Sequence, residues 1–117
     1  MPTLRDLIET LQARADVAGA VVLGRDGLLV DAGGLDAADA EHLAAVAPGI
    51  ATAGDAMGAA ASDGPLSTAV LEFAHGLAVV SVLSPDVLLV VRLAKDAEPG
   101  ALVYELRRSR AQLAALV

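Results

Sequence analysis

The sequence predicts an α+β fold, on three observations. Leucine stripes at helical spacing open and close the chain, short runs of Val, Leu and Ala lie between them, and Asp-Gly, His-Gly and Ser-Pro-Asp turns separate those runs. At 117 residues the chain has the length of one domain, expected to span 1–117, and can bury a core without disulfides or metal.

Leu4, Leu7, Ile8 and Leu11 recur at helical spacing behind Thr3, and Asp6 stands three residues on as an acidic version of the capping box. This predicts a first helix over Thr3 to Ala15. The apolar run Gly19 to Gly24, the turn Arg25-Asp26-Gly27 and the run Leu28 to Ala32 predict a hairpin. Asp-Gly is the residue pair of a type I′ turn, which needs positive φ at both central positions.

After Gly33-Gly34, Asp36 supplies an N-cap, with Asp39 and Glu41 set against the positive end of a second helix. That helix has an unusual surface: from Leu43 to Ala61 its one charge is Asp55. Leu43, Val46, Ile50, Met57 and Ala61 fall near one stripe, while Ala44, Ala47, Ala51, Gly54 and Gly58 are small enough to admit another backbone. A helix on the outside of a small domain should show water a polar face, so something is expected to cover both sides of this one. Pro48 cannot donate to the carbonyl of Ala44, and a kink or break is expected at Pro48-Gly49.

Ser62-Asp63-Gly64-Pro65 is turn chemistry. Leu66 to Ala74, Leu77 to Leu83 and Val87 to Leu93 then read as three strands, and the short turns between them require an antiparallel meander. Val87 to Val91 is apolar on both faces, as an inner strand should be. Pro99 opens a last helix whose stripe is Leu102, Leu106, Leu113 and Leu116. The order is therefore α-β-β-α-β-β-β-α.

The net charge of −7 is unevenly spread, with no Lys or Arg from Asp26 to Val91. A phosphate-binding face needs cations and a base-stacking platform needs aromatics, yet the aromatic residues are Phe73 and Tyr104 alone; no nucleic-acid partner is expected. Without Cys there is no thiol nucleophile or Cys-based zinc site. Arg5, Asp6 and Glu9 interrupt the first apolar pattern as a secretory signal would not, and a cytoplasmic location is expected.

Asp36, Asp39 and His42 are read as helix-start electrostatics rather than metal ligands, and His75 as a solvated turn residue. The paired glycines lack the Lys-Ser or Lys-Thr of a phosphate loop. No catalytic residue, cofactor or metal is expected. Gly54 and Gly58 form a GxxxG, but Asp55 and Pro48 lie in the same helix, and Ala and Gly outnumber Leu and Ile, so membrane insertion is not expected.

The order of elements and the residues filling them resemble the Roadblock/LC7 family, relatives of dynein light chains and of bacterial regulators of small Ras-like GTPases. The resemblance rests on Val17 to Leu23 leading into Arg25-Asp26-Gly27-Leu28-Leu29-Val30, on the Ala-rich second helix, on the strand meander, and on Gly100 to Arg108. It implies a five-stranded antiparallel sheet with helix 2 on one face and helices 1 and 3 on the other. It further implies a homodimer, formed by pairing strand 3 with its copy and packing the two second helices together.

On that basis the dimer interface is expected at Leu43, Ala47, Ile50, Ala51, Gly54, Met57, Gly58, Leu66, Thr68 and Val70. Arg107, Arg108 and Arg110 read either as a solvated helix end or as a docking patch for an acidic partner. The resemblance implies a non-enzymatic module that binds a small Ras-like GTPase and modulates its GTP hydrolysis. The alternatives are a structural adaptor without effect on nucleotide turnover and a small-ligand sensor, for which the sequence offers few convergent polar groups.

Overall fold

Thr3 and Asp6 close the capping box expected at the start: Thr3 Oγ1 accepts from the Asp6 amide at 3.2 Å, and the Thr3 amide donates to Asp6 Oδ2 at 2.9 Å. In the computed structural model, which describes residues 2–117, this box starts α1 (Leu4–Gln12). There follow β1 (Val17–Gly24), β2 (Leu29–Gly33), α2 (Ala37–Ala60), β3 (Thr68–Phe73), β4 (Gly76–Ser84), β5 (Val87–Leu93), α3 (Pro99–Arg108) and α4 (Arg110–Ala114). The strands form one antiparallel sheet in the order β2-β1-β5-β4-β3. β5 is central, as its apolar run requires, and β2 and β3 are the edges.

Alternation along the strands sends side chains to two cores. Ala20, Val22, Val79, Leu89 and Val91 meet Ile8 and Leu11 of α1 and Leu102, Leu106 and Leu113 of α3 and α4. Val21, Leu23, Val80, Leu88 and Val90 meet Ala40, Ala44, Ala47 and Ala51 of α2. Helix α2 thus covers one face, and α1 with α3 and α4 the other. Side chains such as Ile8, Leu23, Leu89 and Leu102 are fully buried, each contributing about 1.5–3 kcal/mol relative to exposure.

Three details differ from the sequence expectation. The β1–β2 connection is not a type I′ turn. Of Asp26 and Gly27 only Gly27 has positive φ, at 91°, and its amide donates to the Gly24 carbonyl at 2.9 Å. Arg25-Asp26-Gly27 forms a three-residue loop ending in a left-handed glycine, and the Asp26 carboxylate accepts from the Leu28 amide at 3.1 Å.

Helix α2 runs unbroken from Ala37 to Ala60 with Pro48 inside it, so of the two alternatives at Pro48-Gly49 the break does not occur. Ala44, Ala47 and Ala51, buried on the sheet at either side of the proline, hold the two halves in register although the Ala44 carbonyl loses one donor. The last helix, in contrast, is interrupted: Ser109, with φ −95° and ψ 9°, separates α3 from α4. Ser109 occupies a position on the buried stripe between Leu106 and Leu113, where a leucine would have continued the packing.

Candidate interaction surface

Because the sheet-facing side of α2 is alanine, the helix lies low over the sheet and its flank overhangs β4 and β3 without filling the space beside them. The result is an apolar groove of about 570 Å³, lined by Leu43, Val46 and Ile50 from α2 and by Leu71, Phe73 and Val80 from the strands. His75 and Arg92 are the charged or ionisable groups on its wall. Along the flank, Val46 is 56% exposed and Met57 75% exposed, and at the sheet edge Val70 is 48% and Phe73 58% exposed. Edge strand β3 has one ionisable side chain, Glu72, and no proline or charge pair to guard its free backbone groups.

The expected interface residues divide into two sets. Leu43 and Ile50 lie half-buried in the groove wall, Met57 and Val70 are exposed, and Thr68 starts the edge strand with its Oγ1 buried and unpartnered. The small residues make close contacts within the chain itself. Ala47 and Ala51 are buried against the chain's own sheet. A Cβ on Gly54 would meet Leu66 Cδ2 at 2.8 Å, and one on Gly58 would strike the Gly64 carbonyl. Leu66 precedes β3 instead of belonging to it, and packs beneath α2.

Ala47 and Ala51 therefore lie against this chain's own sheet, and half-buried Gly54 and Gly58 give room to Leu66 and to the Gly64 backbone. A helix apolar all round carries no sequence signal to tell the sheet side from the free side. Sequence reasoning also missed Leu71 and Phe73 as groove residues; their two-residue spacing on β3, on the face that carries Ala69, was the available signal.

Asp55, the lone charge of the α2 body, faces the opposite flank. It accepts from Arg25 Nη1 at 2.7 Å and from the Leu66 amide at 2.8 Å. The Leu66 amide, and after it the Arg25 guanidinium, holds the Asp55 carboxyl below the usual carboxylate range. Near the N-terminus of α2, Asp36 caps the helix by accepting from the Asp39 amide at 2.8 Å. Arg107, Arg108 and Arg110 are all exposed, on the other side of the sheet from the groove.

The family model of the Roadblock/LC7 domain matches residues 3–93. The chain belongs to the Roadblock/LC7 family. A Roadblock/LC7 domain from Streptomyces avermitilis, solved by crystallography, matches with a TM-score of 0.84 at 29% identity, covering 96% of this chain and 95% of that one. Gliding protein MglB from Thermus thermophilus gives a TM-score of 0.82 at 17% identity, covering 96% and 86%. MglC from Myxococcus xanthus gives 0.66 at 22% identity, covering 97% and 98%. The last two are likenesses of fold. No curated protein sequence matches the chain.

The Roadblock/LC7 family is generally one of regulatory and adaptor domains, and membership supports a regulatory domain here. In this Roadblock/LC7 domain α2 is also long and apolar enough to cross a membrane, but its Ala40, Ala44, Ala47 and Ala51 side lies on the sheet.

Proposed function

We propose that this Roadblock/LC7 domain is a non-enzymatic, homodimeric regulatory module of the cytoplasm that binds a small Ras-like GTPase and modulates its GTP hydrolysis. The observation that carries the dimer is the apolar groove running beside an edge strand that has no proline and a single charge, Glu72. A second copy supplies both what the strand lacks, a pairing partner, and what the groove lacks, an apolar filling. The α2 flank is also self-complementary: Leu43 and Met57 lie seven residues either side of Ile50. A two-fold axis at Ile50 sets Met57 of each copy beside Leu43 of the other.

The GTPase reading rests on family membership, since bacterial relatives are regulators of such GTPases. No residue of this chain is assigned to the chemistry; its action would be on the GTPase's own switch segments. The test is single-turnover GTP hydrolysis and nucleotide exchange by each small Ras-like GTPase of the host, with and without the purified protein. A changed rate with one of them supports the reading. Binding without a rate change would make the protein an adaptor, and neither binding nor a rate change across the set would remove the GTPase altogether.

A further inference from the structure

On the face of the sheet away from the groove, the outer side of α3 carries a compact cationic and aromatic cluster. Leu102 and Leu106 are buried beneath it, which turns Tyr104, Arg107 and Arg108 outward as residues i, i+3 and i+4 of one exposed face. Tyr104 is 59% exposed, and the Arg108 guanidinium lies 5.8 Å from its ring centroid. Arg108 has one acidic neighbour, Glu105, at 4.0 Å. Arg107 and Arg110 form no ion pair among the described residues. Arg110 starts α4 just past the Ser109 interruption. Three of the chain's eight cations thus stand within four positions of a protein whose net charge is −7.

We infer that Tyr104, Arg107, Arg108 and Arg110 form a second docking surface, and that its occupant is an acidic segment of a partner protein. Charge complementarity sets the sign of the occupant. The residue types set its class: Tyr and Arg together are what anchors protein interfaces, a rigid ring and a planar fork able to take a carboxylate by two hydrogen bonds. A membrane surface fits less well. The leucines of α3 and α4 point into the core, leaving no aliphatic wedge on this side, and the net negative charge opposes an anionic bilayer. The surface lies on the other face from β3 and α2, so it stays open whether or not the groove is filled.

Tyr104 is the single tyrosine of a chain without Trp, so its emission reports on this surface alone. The protein is titrated with an Asp/Glu-rich dodecapeptide free of aromatics, and in parallel with phosphatidylserine vesicles. A saturable change in Tyr104 emission with the peptide is expected, weakening about tenfold when salt is raised from low to well above physiological strength. Arg107→Glu should lose that response, while the charge-matched Lys95→Glu, in the turn after β5, should keep it. Far-UV circular dichroism of both variants secures the comparison. No response to the peptide, a response to vesicles alone, or equal loss in Lys95→Glu would each overturn the inference.

Discussion

Arg25 and Asp55, 30 residues apart in sequence, meet at 2.7 Å, and the same carboxylate accepts the Leu66 amide at 2.8 Å. One side chain thereby ties the β1–β2 loop, the body of α2 and the segment entering β3. The charge that looked out of place in an apolar helix is a fastener.

Asp55→Asn keeps an acceptor for Leu66 but removes the charge that faces Arg25, so it should melt below the wild type at neutral pH. The folded-state pKa of Asp55 is lowered, so its contribution is complete above the ordinary Asp value of about 3.9 and fades as pH falls through the lowered value. Thermal melts of both proteins from neutral to strongly acidic pH should show the gap constant at first, narrowing below the ordinary Asp value and closed once pH is below the lowered one. A gap that widens on acidification would contradict the assignment.

Ser62 ends α2 in the left-handed region with φ 62°. The Asp63 amide donates to the Gly58 carbonyl at 2.7 Å and the Ser62 amide to Ala59 at 3.3 Å, the paired bonds of a Schellman motif. Glycine relieves the left-handed strain of about 1–2 kcal/mol and costs some unfolded-state entropy in return, so Ser62→Gly should gain about 0.5–1 kcal/mol by denaturant unfolding.

Gly54 and Gly58 should respond to alanine to different degrees. At Gly58 the new methyl meets the Gly64 backbone carbonyl, which the turn holds in place, and a loss of about 1–3 kcal/mol is expected. At Gly54 it meets the Leu66 side chain, which can shift, while the helix gains up to about 1 kcal/mol in propensity. Gly54→Ala should therefore stay within about 1 kcal/mol of the wild type. Parallel urea titrations read both.

The elements were legible in the sequence because their signals are local: Thr3 with Asp6, Asp36 with Asp39, Pro99 at the first turn of α3, and the turns around Gly27 and Gly76. The edge position of β3 followed from the family resemblance. The orientation of α2 was not legible, since alanine and other uncharged residues occupy every side of its body and only the sheet beneath decides that Ala47 and Ala51 point inward. The role of Asp55 was hidden for a related reason. Its partners Arg25 and Leu66 are brought close by tertiary packing, and no sequence spacing encodes that. Ser109 escaped notice because a single polar residue on a stripe does not by itself break a helix.

Val46→Glu and Phe73→Glu place a charge at exposed positions of the groove and edge, so the fold should keep its circular dichroism while the proposed pair separates. Ala51→Glu is expected instead to unfold the chain, since Ala51 is fully buried on the sheet. Chromatographic mass together with far-UV spectra distinguishes the two outcomes.

Solution mass by light scattering or sedimentation at micromolar concentration bears most directly on the proposal that β3 and the α2 flank are completed by a second copy. Twice the 11.7 kDa mass of the chain is the expected result. A stable species of 11.7 kDa would contradict it.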